Sequence, residues 1–319
     1  MFKYLSPVYI AQKWREHGFR QILFSVGVRM HIPVPVLAVI GECGHVGGQP
    51  LDWLRRKLAA RRVLAGSPWR GYVERSSGYA RIGPETIPRM EQLIATSKEI
   101  YEARKADLVV PDSEPFINFL TAEDIARHPI FLGFGLSQPM VQIVTDYLGT
   151  VPRLHNISLL YTPARERLAN SQLLHLDKPY VQLVSAFINV IDIAPENGPL
   201  TFLPAAKTRL FRERFQYDRH YFVGDGRVSN AEFGRIFQPD DLIALTGEAG
   251  SGAIVDTSNC LHYGSRTTAG ARVLCVIQYV PAHRLRPSFS YRFDGHRYGR
   301  ETLSRLLLAG ARPGAATGG

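Results

Sequence analysis

His175 and Asp177 stand two residues apart ahead of an apolar run, and in an extended segment side chains at that spacing point to the same face. Two ligands so placed can share one metal. His262 offers a third, just before another apolar run. Two imidazoles and one carboxylate on one side of an iron(II) leave positions open for a co-substrate and dioxygen, the arrangement of non-haem iron oxygenases. Alone, the His-x-Asp pair carries little, because a chain with ten histidines can produce it as a surface pair or a hydrogen-bonded core histidine.

Arg272 changes that balance. It opens the run Val273-Leu274-Cys275-Val276-Ile277-Gln278-Tyr279, and a buried charge without a partner costs several kcal/mol. The distal carboxylate of 2-oxoglutarate would answer it, gripped in two parallel bonds by the planar guanidinium. Formal charges then cancel: the iron and Arg272 against Asp177 and a dianionic co-substrate. An ordinary internal salt bridge is the competing reading. Ser265 could hydrogen-bond the co-substrate, although hydroxyls in glycine turns often cap backbone groups. Asn189 and Gln182 are polar positions in a mainly apolar strand and need partners inside. Cys260 reads as a core thiol rather than a metal ligand. His155 and His220 have no companion at ligand spacing.

The elements that must position these residues divide the chain in two. Pro50 can open a helix whose Leu51, Leu54 and Leu58 form its apolar face, with Arg55, Arg56, Arg61 and Arg62 around the rest. A second helix is expected from Pro88 to Arg104, with Met90, Leu93, Ile94, Ser97 and Tyr101 inside. Thr121 to Asp124 reads as a helix-starting box. Pro139 opens another helix that Gly149 closes, with Met140, Ile143, Val144 and Tyr147 inward.

After Asn156 the period becomes that of strands. Residues 157–161, 180–193, 200–203, 253–255 and 272–280 are β-branched or aromatic runs divided by Gly, Pro and Asn turns. Helices first and strands after, without alternation, exclude a doubly wound sheet and favour a mainly β, jelly-roll-like double sheet with helical decoration. A single catalytic domain over 1–308 is expected, helical to about 150 and β from about 151 to 285, with a disordered Gly- and Ala-rich tail at 309–319.

Residues 208–239 break the strand rhythm with charges and aromatics, as a lid would. There Arg209, Arg212, Arg214, Arg219 and Arg227 accompany Phe211, Phe215, Tyr217, Tyr221 and Phe222. Such a segment could meet an anionic or carrier-linked small-molecule substrate, with Arg212 and Arg214 as its first contacts. The alternative is a solvated helix face partly neutralised by Glu213 and Asp218.

Composition narrows the partners. Apolar residues make up 45% and charged ones 21% of the chain, enough for a large core. The net charge of +10 favours anions, but the basic residues match no nucleic-acid reading motif. Cys43, Cys260 and Cys275 are too scattered for a disulfide framework or a metal knuckle and fit a reducing cytoplasm. Residues 22–40 are apolar, yet Arg29, His31, Pro33 and Pro35 interrupt them too soon for a transmembrane span. They read as buried core, with loose membrane contact as the alternative. The first residues show no secretory leader pattern, and nothing in the chain sets an oligomeric state.

Taken together, His175-Leu176-Asp177, the turn Pro195-Glu196-Asn197-Gly198-Pro199-Leu200 running into Phe202-Leu203-Pro204, and the His262 to Arg272 segment resemble the phytanoyl-CoA dioxygenase-like family. The resemblance spans roughly residues 156–281, and the first half matches nothing. It implies a double-stranded β-helix, iron(II), 2-oxoglutarate, dioxygen, and oxidation of an unactivated carbon with release of succinate and CO2. The family has Ser-His after that proline where this chain has Ala205-Ala206-Lys207, which bears on loop and substrate contacts. Related halogenases replace the carboxylate ligand with a small residue, so Asp177 implies hydroxylation or desaturation. Two other classes fit the residues alone: a non-oxidative metal-dependent cupin-type enzyme, which has no need of Arg272, and a non-catalytic anion-binding barrel.

Overall fold

A computed structural model of the chain describes residues 49–165, 168, 170–177, 182–223, 225–281, 290–291, 302–308 and 312–313, with isolated positions between 27 and 47. Most of the apolar 22–40 run lies outside the described residues. So does the tail expected to be disordered, except that Arg312 and Pro313 pair in parallel with Ser290 and Tyr291.

Nine strands form two antiparallel sheets. They are β1 (Tyr79–Ile82), β2 (Ile117–Asn118), β3 (Pro152–Pro163), β4 (Val184–Asn189), β5 (Thr201–Phe202), β6 (Ile243–Ala244), β7 (Gly252–Asp256), β8 (His262–Tyr263) and β9 (Ala271–Pro281). The larger sheet runs β1-β7-β4-β9-β3-β2, and the smaller runs β6-β5-β8.

Alternation along the strands assigns the faces of the larger sheet. Val184, Ala186 and Ile188 of β4, Ile254 of β7, and Val273, Cys275, Ile277 and Tyr279 of β9 all enter one core with helical residues. The intervening Phe187, Ala253 and Val255 instead pack with Phe202 and Leu200 beside the smaller sheet, and Tyr79 meets Phe202 edge-on at 4.9 Å. The two sheets therefore face each other, and both faces of the larger one are covered. Arg272 shares the inward parity, which places its charge between the sheets.

Helices α1 (Pro50–Val63), α2 (Met90–Arg104), α3 (Ala122–Arg127), α4 (Ile130–Gly135) and α5 (Gln138–Leu148) precede the main strands. Met90, Leu93, Phe131, Phe134, Ile143 and Val144 carry the contact of α2, α4 and α5 with the larger sheet. The box before α3 forms as its residues predict. Thr121 and Asp124 cap each other, and the Asp124 carboxylate also takes two bonds of 2.7 and 2.8 Å from Arg104. Gly149 ends α5 at φ 66°, the left-handed region that glycine enters without penalty.

Four expectations change. On α1 the leucine face points outward and Arg56 and Ala60 are the buried residues, because periodicity says which residues share a face but not which face is covered. Strands β1 and β2 arise inside the helical half and complete the edges of the larger sheet. Among the described residues of the expected 180–193 strand only β4 is extended and paired along its length, and Gln182 precedes it in a left-handed conformation, φ 70°. Much of the expected lid is helical: α6 (Ala205–Phe215), α7 (Tyr217–Val223) and α8 (Asn230–Phe233).

Candidate metal centre

Backbone pairing brings the three candidate ligands together. Residues 174 and 175 extend the smaller sheet: Leu174 bridges Val228, and His175 bridges His262. His175 and His262 exchange both backbone hydrogen bonds at 2.9 Å, which sets their ring centroids 4.4 Å apart. Asp177 is fixed by the turn after β7. Its N–H donates to the Thr257 carbonyl at 2.9 Å, and its own carbonyl accepts from the Ser258 hydroxyl at 2.6 Å.

Each imidazole has one nitrogen committed. Nδ1 of His175 lies 2.8 Å from the Leu173 carbonyl, and Nδ1 of His262 lies 2.9 Å from the Cys260 carbonyl. A carbonyl only accepts, so each Nδ1 carries the proton and each Nε2 keeps its lone pair. Those Nε2 atoms stand 3.5 and 3.6 Å from the two carboxylate oxygens of Asp177. One ligand atom from each of the three residues lies within 4.8 Å of the others.

Electrostatics suit a cation. Burial, then the neighbouring His175, lower the His262 pKa to about 4 against the pull of Asp177, so its ring is neutral at pH 7. Burial works against the Asp177 carboxylate, but the attraction of the His262 and His175 rings when they carry a second proton, with the Thr257 hydrogen bond, holds the carboxyl well below the usual range. Metal ligation needs such a deprotonated set, and two nitrogens with one carboxylate match the facial donor set of iron(II).

Beside this cluster lies a buried charge with no counter-ion. Arg272 is 3% exposed, and burial pulls its guanidinium pKa down to about 9. Its Nη1 donates to the Gly198 carbonyl at 3.1 Å and its Nη2 to the Ser265 hydroxyl, while Nε has no partner. Among the described residues no carboxylate lies within salt-bridge reach of it. The His262 segment runs directly over this group: a Cβ on Gly264 would come within 2.7 Å of Nη1.

The Glu196-Asn197-Gly198 turn holds the backbone around Arg272 in shape. Gly198 has φ 69°, and a Cβ there would meet backbone atoms of Arg266 and Thr267 at 2.5–2.7 Å. Thr267 Oγ1 donates to the Asn197 carbonyl at 2.9 Å, and Asn197 Nδ2 donates to the Ala269 carbonyl at 3.1 Å. Ser265, left-handed at φ 65°, also accepts from the Thr162 hydroxyl at 3.4 Å.

The remaining candidates lie apart from these contacts. Asn189 Nδ2 donates to Ser251 Oγ at 3.1 Å. Gln182 is half-buried in its turn. Arg212 is paired with Asp218 at 2.6 Å, and Arg214 is exposed. Phe211 and Tyr217 are buried in a core with Leu174, Leu176 and Leu261. Cys260 is a buried free thiol near the carbonyls of Ser77 and Gly78.

Sequence reasoning missed Thr162, Thr257 and Ser258, and it set Tyr217 in a substrate-meeting segment where the structure buries it in a core. The polar run Asp256-Thr257-Ser258-Asn259 closing an apolar strand was the available signal for two of them. Tyr217 and Thr162 are tied to the site only by tertiary contacts.

No protein family matches the chain, and no curated protein is similar to it by sequence. Solved structures give distant likenesses. One is to HygX from Streptomyces hygroscopicus with nickel and 2-oxoglutarate bound, at 17% identity over 70% of this chain and 88% of that one, with a TM-score of 0.44. EctD from S. alaskensis follows at 15% identity, 68% and 78% coverage, and a TM-score of 0.47. The non-haem α-ketoglutarate-dependent epimerase SnoN from nogalamycin biosynthesis is similar at 14% identity, 70% and 83% coverage, and a TM-score of 0.43. At such scores these likenesses assign no chemistry to this chain, whose reading rests on its own residues.

Proposed function

We propose that this chain is an iron(II)- and 2-oxoglutarate-dependent oxygenase of the phytanoyl-CoA dioxygenase-like kind, with a double-stranded β-helix core, acting on a small organic substrate. The observation that carries this reading is the pairing of a His175-Asp177-His262 cluster, both Nε2 atoms free, with an unneutralised buried Arg272 beside the same segment. The cluster alone would suit many divalent metals. A buried guanidinium without a carboxylate partner asks in addition for an organic dianion, and 2-oxoglutarate is one.

In this reading His175 and His262 ligate through Nε2 and Asp177 through its carboxylate. Bound there, iron(II) and 2-oxoglutarate supply oxidation by dioxygen, with succinate and CO2 as co-products. Arg272 receives the distal carboxylate, with the Ser265 hydroxyl at its edge, in a dry site where charge-assisted bonds contribute roughly 1.5–3 kcal/mol each. The sheets exclude water and the retained carboxylate of Asp177 directs the outcome to hydroxylation or desaturation. An anionic substrate would be met by the exposed Arg214, since Asp218 already neutralises Arg212.

Anaerobic equilibrium dialysis with iron(II), followed by succinate release under air, tests the assignment. One iron per chain and succinate formation are expected, both lost in Asp177→Ala. An Asp177→Ala protein that keeps full iron affinity and full succinate production would show the triad to be wrongly assigned.

A further inference from the structure

Helix α1 is built inside out. Its buried guanidinium, Arg56, is 1% exposed and donates to Asp52 and to the carbonyls of Val151, Pro152 and Leu306. Its leucines face outward instead, Leu51 at 68%, Leu54 at 47% and Leu58 at 45% exposure. At about 100° per residue the three form a narrow stripe, with Arg55 and Arg62 along one edge and Arg61 along the other, all exposed. On the helix itself no acidic residue shares that face, because Asp52, its one carboxylate, is bound to Arg56; Asp146 of α5 stands on the adjoining cavity wall, where its carboxylate accepts the Gly71 N–H at 2.8 Å.

The pattern extends beyond the helix. Among the described residues ten large apolar side chains are exposed, and seven of them fall within positions 30–58. The other four of these seven are Met30, Val36, Val39 and Ile40. A cavity of about 400 Å³ flanks the stripe, with Trp53, Leu54 and Leu58 on its wall together with Lys57, Arg61 and Arg70. Exposed leucines aligned on one helix face mark an interaction surface.

We propose that this face docks on an acidic phospholipid bilayer, leucines entering the boundary between headgroups and acyl chains while the flanking arginines meet lipid phosphates. Exposed leucines between exposed arginines suit such a surface, since long cationic side chains can lie along an apolar layer with their heads among the phosphates. The net charge of +10 adds attraction to such a leaflet. A second copy of the chain fits worse: a two-fold contact on this stripe would set Arg55, Arg61 and Arg62 against their own counterparts. The contact is peripheral, because among the described residues no helix is long and apolar enough to cross a membrane. It does not depend on the oxygenase reading.

Co-sedimentation with vesicles of phosphatidylglycerol and phosphatidylcholine, compared with phosphatidylcholine alone, tests it on the full chain. Binding to the acidic vesicles should be at least about tenfold tighter, given that each cation near an acidic surface favours binding, and should weaken with salt. Leu54→Glu with Leu58→Glu, and separately Arg61→Glu with Arg62→Glu, should each lower it about tenfold, with circular dichroism and melting temperature unchanged. Equal binding to both vesicle types would overturn the proposal, and so would wild-type affinity in both variants. Vesicle binding that is absent while the leucines drive self-association in sedimentation velocity would overturn it too, making the stripe an interface between copies.

Discussion

The hydroxyl of Tyr217 accepts the backbone N–H of Leu176 at 2.8 Å and donates to the Gly226 carbonyl at 2.8 Å. Leu176 lies between two candidate metal ligands, so α7 reaches the strap that carries His175 and Asp177 without touching either side chain. Tyr217 is fully buried, and no water can replace its oxygen easily. In Tyr217→Phe the Leu176 N–H loses its acceptor, which costs about 1–3 kcal/mol. Iron(II) affinity, measured by competition with a chelator, should fall roughly tenfold, as it does when groups behind metal ligands are removed. An unchanged iron affinity alongside a lowered melting temperature would make Tyr217 structural only.

Arg272→Leu should raise the KM for 2-oxoglutarate at least about tenfold while the KM for the prime substrate moves little, since one or two charge-assisted bonds are lost. The melting temperature of the protein without co-substrate should hold or rise. Removing an unneutralised buried charge also removes its desolvation penalty. Steady-state kinetics and calorimetry read the two halves, and an unchanged 2-oxoglutarate KM would shift the anchor to another arginine, with Arg266 the nearest in sequence.

Gly198→Ala tests the turn that supports this arginine. A Cβ there would strike backbone at 2.5–2.7 Å with φ at 69°, so the loop must shift and the Gly198 carbonyl must leave Arg272. A loss of about 2 kcal/mol in urea unfolding and weaker 2-oxoglutarate binding should appear together, with iron affinity near wild type.

Acid should weaken the metal-free protein in a defined window. The His262 pKa is lowered from 6.5 to about 4, so between those values the unfolded chain binds a proton that the native one refuses. Stability is therefore full above pH 6.5 and declines as pH falls toward 4, by roughly 3 kcal/mol at 1.36 kcal/mol per unit. Urea midpoints across that range should show the slope, and His262→Gln should flatten it.

The meeting of the candidate ligands was more legible than the architecture around them. His175 and Asp177 could be read because a two-residue spacing has one meaning in an extended segment. Gly198 was visible only as part of the Pro195–Leu200 motif that carries the family resemblance, and the crowding that requires it there shows only in the folded chain. The orientation of α1 could not, since Leu51, Leu54 and Leu58 look alike whether the face they share is covered or bare. Strands β1 and β2 are too short to carry a period, and they exist because β7 and β3 offer them an open edge. Tyr217 and Thr162 act through partners far away in sequence, and no local pattern reports such a contact.

The reciprocal backbone pairing of His175 and His262 also bears on how the centre comes into being. Their bond spans a long stretch of chain, and closing such a loop costs entropy that only later contacts return. Until the smaller sheet zips, the chain holds an imidazole and a carboxylate at one place and an imidazole at another, a poor chelator. Metal captured by the native state alone stabilises it in proportion to the logarithm of its concentration over the dissociation constant. Iron should thus act as a latch on a finished topology, slowing the reopening of that sheet while leaving the rate of its formation almost untouched.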